Sequence, residues 1–231
     1  MNFRNLFFLI ALLAVTGAVA QDTKPASKSV YTTTSGEIIF SFANINYQGS
    51  ETGSVIRFSP VFNLQNWVNI DKSENFGIFT GFSVRNVGFI YDVPDQPGVR
   101  MKYRTYNLGI PIGFKLGNLS DKFIFAGYEL EIPFNYKEKT FVNEDKTEKK
   151  DIWFTNRVNT FNHTLMAGVQ LPYGATLKFK YYLTNFFNKD YEESDGQGGT
   201  RKPYAGSDYN VFYFSLSFGL LKNSDFYYTN K

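Results

Sequence analysis

Two glutamates, Glu129 and Glu131, stand two residues apart in an otherwise apolar stretch. Side chains i and i+2 of a β-strand point to one face, so the two carboxyls would lie side by side. Such a pair can serve as general acid and general base. Lys178 and Lys180 repeat the same spacing on another alternating segment. Because an unpaired buried charge is very costly, we predict ion pairs across an interior and assign no catalytic residue.

His163 is the only histidine and the sequence has no cysteine. A Ser-His-Asp enzyme would have to use this histidine, whereas zinc sites built from thiolates or three histidines are excluded. Its parity is that of Leu165 and Ala167, which predicts an outward interface position. We expect no metal and no cofactor, and an envelope enzyme using His163 stays open as an alternative.

Charged residues also gather in two connecting segments. Residues 144–151 mix both signs, which indicates a solvated hairpin tip. Residues 190–195 hold four carboxylates before a Gly-rich turn. Their spacing does not match a twelve-residue calcium loop, so we predict a mobile acidic loop.

The elements that position these side chains are β-strands, because two-residue alternation dominates from Glu37 onward. In the last segment Phe212, Phe214, Leu216 and Phe218 oppose Tyr213 and two serines. Eight strands are predicted, at residues 37–45, 55–65, 76–87, 101–116, 122–136, 160–171, 175–186 and 209–220. This pattern predicts an all-β fold: one antiparallel up-and-down transmembrane β-barrel of about eight strands, the size of small OmpA- or OmpX-like barrels.

The two faces of these strands give two sets of site residues. Apolar positions should face lipid; they are Ile124, Tyr128, Leu130, Leu177, Phe179, Phe212, Phe214, Leu216 and Phe218. Charged positions should form an ion-pair network in the lumen; they are Glu37, Arg57, Arg85, Glu129, Glu131, Lys178 and Lys180. An eight-stranded lumen is only wide enough for side chains, which favours a packed polar plug over an ion-selective constriction.

The connections support a membrane barrel, since long polar links after strands one, three, five and seven alternate with short ones. Three prolines oppose it, because Pro60, Pro111 and Pro133 fall inside predicted strands and proline removes a ladder hydrogen bond. Aromatic residues near strand ends could form interface girdles; the candidates are Trp67, Tyr103, Trp153, Tyr173 and Tyr182.

The start of the sequence predicts export. Arg4, an apolar run and Ala18-Val19-Ala20 are typical of a cleaved signal peptide at residues 1–20. We expect a flexible periplasmic lead-in at 21–36, the barrel at 37–222 and a periplasmic tail at 223–231. The formal net charge of +3 has no basic cluster behind it, which excludes nucleic acid as a partner.

One segment, Tyr106-Asn107-Leu108-Gly109-Ile110-Pro111-Ile112-Gly113-Phe114-Lys115, resembles a strand of small outer-membrane β-barrel proteins of the Bacteroidota, the PorT-like group. Phe125-Ala126-Gly127-Tyr128-Glu129 resembles the strand that follows it in those proteins. The resemblance implies an outer-membrane barrel whose strand tolerates Pro111, and it implies little about activity.

The sequence therefore predicts an integral outer-membrane barrel with a structural or interaction role and no enzymatic activity. Its expected partners are outer-membrane lipid and, as an open question, envelope proteins; the oligomeric state is not indicated. A small pore, an envelope enzyme using His163 and a soluble lipocalin-like barrel are the alternatives. A lipocalin-like barrel would turn Phe214 and Phe218 inward and expose Lys178 and Lys180.

Overall fold

The computed structural model describes residues 29–94 and 96–226, with backbone alone at 173 and 220–226. The predicted signal peptide and most of the predicted lead-in lie outside the described residues, as do residues 227–231. Within the described part of the chain, no helix is long and apolar enough to cross a membrane.

Thirteen strands make up most of the described structure, and one turn of 3₁₀ helix lies between two of them at Pro172–Gly174. The strands are β1 (Ser29–Tyr47), β2 (Ser50–Gly53), β3 (Arg57–Ser59), β4 (Leu64–Asp71), β5 (Phe76–Asp92), β6 (Val99–Asn118), β7 (Lys122–Val142), β8 (Asp145–Trp153), β9 (Asn162–Gln170), β10 (Thr176–Tyr182), β11 (Glu193–Ser194), β12 (Thr200–Arg201) and β13 (Ser207–Phe226).

Eleven of the strands close into one antiparallel barrel because β1 pairs with β13 along almost its whole length, and β11 and β12 form a separate two-stranded sheet. Eight positions form the ring. The second is shared by β2, β3 and β4, which pair with successive parts of β1. The sixth is shared by β8 and β9, which pair with opposite halves of β7. The predicted eight-stranded up-and-down barrel is confirmed, with two interrupted positions.

One end of the barrel, the turn end, has short links at residues 72–75, 119–121 and 171–175. The other, the loop end, has links of very different length. β1 and β2 meet in a two-residue turn at Gln48 and Gly49, whose φ values of 50° and 91° suit a type I′ hairpin. The prediction of a long link after the first strand was therefore wrong, and the longest connection spans residues 183–206.

Two predicted boundaries were also wrong. Residues 29–36, expected to be a flexible lead-in, form the first half of β1 and pair with β4 from Ser29↔Asp71 to Gly36↔Leu64. The Thr-rich sequence here suits a strand, because β-branched residues favour extended backbone. At the other end, the backbone of β13 continues to Phe226, beyond the expected limit at 222.

Proline explains the failure of the predicted second strand at 55–65. β3 ends at Ser59, directly before Pro60, and Phe62 adopts a φ of 60° before β4 begins. Pro60 cannot donate to a ladder, so the chain bulges out of the wall and re-enters it at Leu64.

The other two prolines sit at local irregularities. Pro133 pairs with Asn107 directly beside a bulge formed by Phe134, a position that tolerates proline. Pro111 faces a gap in the β5–β6 ladder between Thr80↔Ile112 and Ser83↔Gly109. Thr80 Oγ1 donates to the Pro111 carbonyl at 2.9 Å across this gap.

Candidate functional site

A charged layer crosses the middle of the lumen. It contains three carboxylates, Glu37, Glu129 and Glu131, and three cations, Arg85, Lys178 and Lys180. All six side chains are fully buried and come from β1, β5, β7 and β10. The formal charges of the layer therefore sum to zero, as a buried cluster requires.

Arg85 is the centre of this layer. Its Nε contacts Glu37 at 3.1 Å, and its Nη1 binds Glu129 and lies 3.5 Å from Glu131. Its Nη2 donates to Gln65 Oε1 at 3.1 Å. The planar guanidinium thus links all three carboxylates, a geometry that a lysine cannot reproduce.

The two lysines divide between the carboxylates. Lys178 Nζ lies 2.8 Å from Glu37, and Lys180 Nζ lies 2.6 Å from Glu129 and also binds Glu131. Neutral donors complete the set, since Tyr182 Oη and Asn107 Nδ2 donate to Glu131 Oε2 at 2.6 Å and 2.7 Å. Every carboxylate has several partners, so the layer has the contacts of a structural plug.

Arg57, predicted for this network, is buried but makes no ion pair among the described residues. Its guanidinium donates to the Asn86 carbonyl at 3.1 Å and to Asn86 Oδ1 at 2.5 Å. The cause is the interruption at Pro60, because β3 has no ladder with β5. The side chains of Arg57, Ser59 and Asn63 bond to Asn86 in place of that ladder.

An aromatic plug closes the lumen at the loop end. Phe186 and Phe187 leave the wall after β10, and their rings pack against Phe89 at centroid distances of 5.2 Å and 6.4 Å. Phe187 stacks on Tyr204 at 4.1 Å. The predicted seventh strand, which ran to Phe186, is thus too long, because β10 ends at Tyr182 and Phe186 and Phe187 turn inward to fill the lumen.

A second aromatic cluster closes the turn end. Trp67 stacks on Phe79 at 4.2 Å, and both rings meet Phe125 edge to face. Trp67, Tyr103 and Tyr182 were predicted as outward girdle residues, but all three are buried in the lumen. Glycines make room here: a Cβ at Gly168 would collide with the Phe125 ring.

The outer wall is an apolar belt. On β6 the outward side chains from Tyr106 to Leu116 are uninterrupted by charge, and Ile112 is 63% exposed. These eleven residues span about 34 Å of strand, or about 26 Å once tilted by about 40°. The residues predicted to face lipid on β7, β10 and β13 all lie on this outer face.

An aromatic collar borders the belt toward the loop end. It consists of Tyr106, Phe134, Trp153 and Phe154, with Phe134 and Trp153 stacked at 5.8 Å. Trp153 is thus the one girdle candidate with a described side chain that lies outside. The sequence did not identify Phe134 and Phe154 as girdle residues. Their position in the collar depends on the bulge beside Pro133.

His163 lies on the outer face of β9 within the belt. Its Nδ1 is 2.7 Å from Tyr128 Oη, and its backbone N–H donates to Thr184 Oγ1 at 2.9 Å. These contacts include neither a serine nor a carboxylate, so they do not make a hydrolase triad.

The carboxylates of the acidic connection at residues 183–206 pair with cations of the same segment and with Arg157 of the neighbouring β8–β9 link. Glu193 binds Arg157 at 2.7 Å and Arg201 at 2.9 Å, while Lys202 lies 3.3 Å from Asp190. Asp195 accepts the backbone N–H groups of Gln197 and Gly199. Across the described ranges, no group of three or more potential ligands is arranged to hold a metal ion.

Comparison with known proteins yields structural similarity alone, since no protein-family model and no curated protein sequence matches. The attachment invasion locus protein Ail of Yersinia pestis, solved with the heparin analogue sucrose octasulfate, is 12% identical with a TM-score of 0.38. The alignment covers 81% of this chain and 97% of that one. Neisserial surface protein A is 8% identical with a TM-score of 0.36, over 84% of this chain and 99% of that one.

Proposed function

We propose that the chain is an integral outer-membrane β-barrel with a structural or interaction role and a closed lumen. The single observation that supports this most is the inverted arrangement of its two faces. Phe214 and Phe218 are about half exposed, whereas Lys178 and Lys180 are buried. A soluble lipocalin-like barrel would have the opposite arrangement.

The height of the apolar belt supports the same proposal. About 26 Å along the barrel axis is close to the apolar band of about 25 Å in known outer-membrane barrels. With the turn end in the periplasm, the β7–β8 hairpin and the segment 183–206 reach the cell exterior. The resemblance of residues 106–115 to PorT-like barrels is consistent with this location.

The contents of the lumen favour an interaction role over a pore. Two aromatic clusters and a neutral charged layer follow one another along the axis, so an ion would have to displace packed rings and break paired charges. Desolvating and separating such pairs is costly. We therefore propose partners at the outer surface and assign no transported solute.

Membrane fractionation combined with heat-modifiable gel migration tests the location. We expect the protein in the outer-membrane fraction, migrating differently before and after boiling. Recovery from the soluble periplasm would refute the proposal. Planar-bilayer recordings test the closed lumen, and large steady conductance would favour the small pore instead.

A further inference from the structure

A strip of cations follows the outer wall directly above the aromatic collar. We define the basic strip by its members: Lys102 and Arg104 of β6, Lys137 and Lys139 of β7, and Lys149 of β8. Parity places them outside, because Tyr103 and Glu138, their neighbours in sequence, are buried toward the lumen.

The register of the strip brings like charges together. Lys102 pairs with Lys139, and Lys139 pairs with Lys149, so three lysines stand side by side on three adjacent strands. In the next row, Arg104 pairs with Lys137. Like charges directly opposite one another on a sheet are destabilising, so the arrangement favours an anion between them.

The chain itself supplies little compensation. Lys137 binds Asp151 at 2.9 Å, but within the described ranges the other four members form no ion pair. Burial, together with the neighbouring Arg57 and Arg104, lowers the pKa of Lys102. The pKa of Lys139 is also lowered, by partial burial and then by Arg104 and Lys146. Burial is the larger cause of both pKa shifts, and the neighbouring positive charges add to it.

The lower row of the strip, Arg104 and Lys137, lies at the height of the headgroup layer, and the upper row, which contains Lys102, lies just above that layer. Arg104 and Lys137 lie over the Tyr106 ring of the collar, at 5.7 Å and 5.4 Å from its centroid. Lys102 is four residues above Tyr106, about 14 Å of strand and about 10 Å along the barrel axis. The headgroup layer extends about 5–8 Å beyond the hydrocarbon on each side.

A recess of about 550 Å³ adjoins the strip on the same side of the wall. Val55, Ile90 and Phe141 form apolar parts of its lining. Its charged parts are two cations, Lys102 and Arg100, and two carboxylates, Asp92 and Glu144, so its formal charges cancel. Arg100 is occupied by Asp92 at 2.7 Å, which leaves Lys102 as the unpaired cation of the lining. Because its charges cancel, the recess suits an uncharged part of a bulky headgroup, with the phosphate groups against the lysine row outside it.

Resting on the proposed outer-membrane location, we propose that the basic strip binds the phosphate groups of a phosphorylated lipid in the outer leaflet. The cations project sideways from the wall at and just above headgroup height, and flexible lysine side chains can bend toward the membrane. This placement favours a lipid over a soluble polyanion approaching the loop tips. The bound phosphates would neutralise the lysine row and fix the barrel's depth in the membrane.

The test compares two variants that remove the same charge. Lys102→Gln/Lys139→Gln removes the centre of the strip, and Lys72→Gln/Lys122→Gln removes two exposed lysines at the turn end. Native mass spectrometry in detergent would titrate each protein with bis-phosphorylated lipid A and with its dephosphorylated form. Each lysine near an anionic surface contributes about fivefold, so we expect about 30-fold weaker binding for the strip variant alone.

Dephosphorylated lipid should bind all three proteins equally weakly. Equal binding of both lipid forms, or equal loss in the two variants, would overturn the inference. Dextran sulfate that binds the strip as tightly as phosphorylated lipid would also overturn it, in favour of a soluble polyanion. Heat-modifiable migration of each variant verifies folding. If the wild-type protein fractionates with the outer membrane while phosphate has no effect, only this inference fails; if it is absent there, both fail.

Discussion

Replacing Arg85 by Met tests whether the lumen layer is held by charge balance. Wild type has three carboxylates and three cations, so the variant leaves three carboxylates with two lysines. Every side chain of the layer is fully buried, and the uncompensated carboxylate has no access to water. Breaking a buried pair in this way costs about 3–5 kcal/mol.

A second substitution should recover much of that loss. Arg85→Met/Glu129→Gln leaves two carboxylates and two lysines, and the amide keeps a partner for Ser83. We expect the double variant to be at least about 2 kcal/mol more stable than the sum of the single effects, within the usual range for neighbouring residues. Arg85→Lys should fall between wild type and Arg85→Met, because it keeps the charge and loses the planar fork.

Urea unfolding in detergent micelles, followed by tryptophan fluorescence, measures these differences. Trp67 is a suitable reporter because it stacks on Phe79 inside the lumen and is exposed only when the barrel opens. Strict additivity of Arg85→Met and Glu129→Gln would refute the charge-balance argument. So would a loss below about 1 kcal/mol for Arg85→Met, which is the range of exposed ion pairs.

Three further changes probe other parts of the barrel. Gly81→Ala should lower the free energy of unfolding by more than about 1 kcal/mol in the same assay, because the φ of Gly81 is 155° and the new Cβ would collide with a backbone carbonyl. Gly219→Ala is the control, because a Cβ there contacts no other atom. Phe187→Ala should cost about 3–5 kcal/mol, yet bilayer recordings should still show no steady conductance because the charged layer stays in place. Burial disfavours the charge of Glu193, but two arginines hold its pKa below the usual 4.5. The stability contributed by its ion pairs is therefore complete above pH 4.5 and is lost as pH falls through the lower folded-state pKa. Protection of residues 183–206 against hydrogen exchange should decrease below pH 4.5, and less so in Glu193→Gln.

Strict alternation made the two faces of the barrel predictable. Phe214 and Ser215 take opposite sides because successive side chains of a strand must do so. The same rule predicted that the side chains of Glu129 and Lys180 would face one lumen. Their pairing partners followed from the register, and a one-residue slip would have turned both charges into the membrane.

The interruptions could not be placed from the sequence. Pro60 indicated a break in the strand. It did not indicate that β4 would begin at Leu64, or that Arg57 would bond to Asn86 as a result. Phe186 and Phe187 follow β10 by only a few residues, and nothing in the local sequence shows that the strand ends at Tyr182. Their inward turn depends on a lumen wide enough for rings, a property of the closed barrel.

The structure above the collar explains where an interaction role would act. β6 continues seven residues beyond Tyr106, from Val99 to Thr105, about 18 Å along the axis after tilt. β7 and β8 accompany it as a paired hairpin closed by a two-residue turn at Asn143 and Glu144. A surface held by ladder hydrogen bonds loses less conformational freedom on binding than a mobile loop does. Since the lumen is filled at three levels, this rigid outer wall, with its row of cations, is the part of the molecule best suited to recognition.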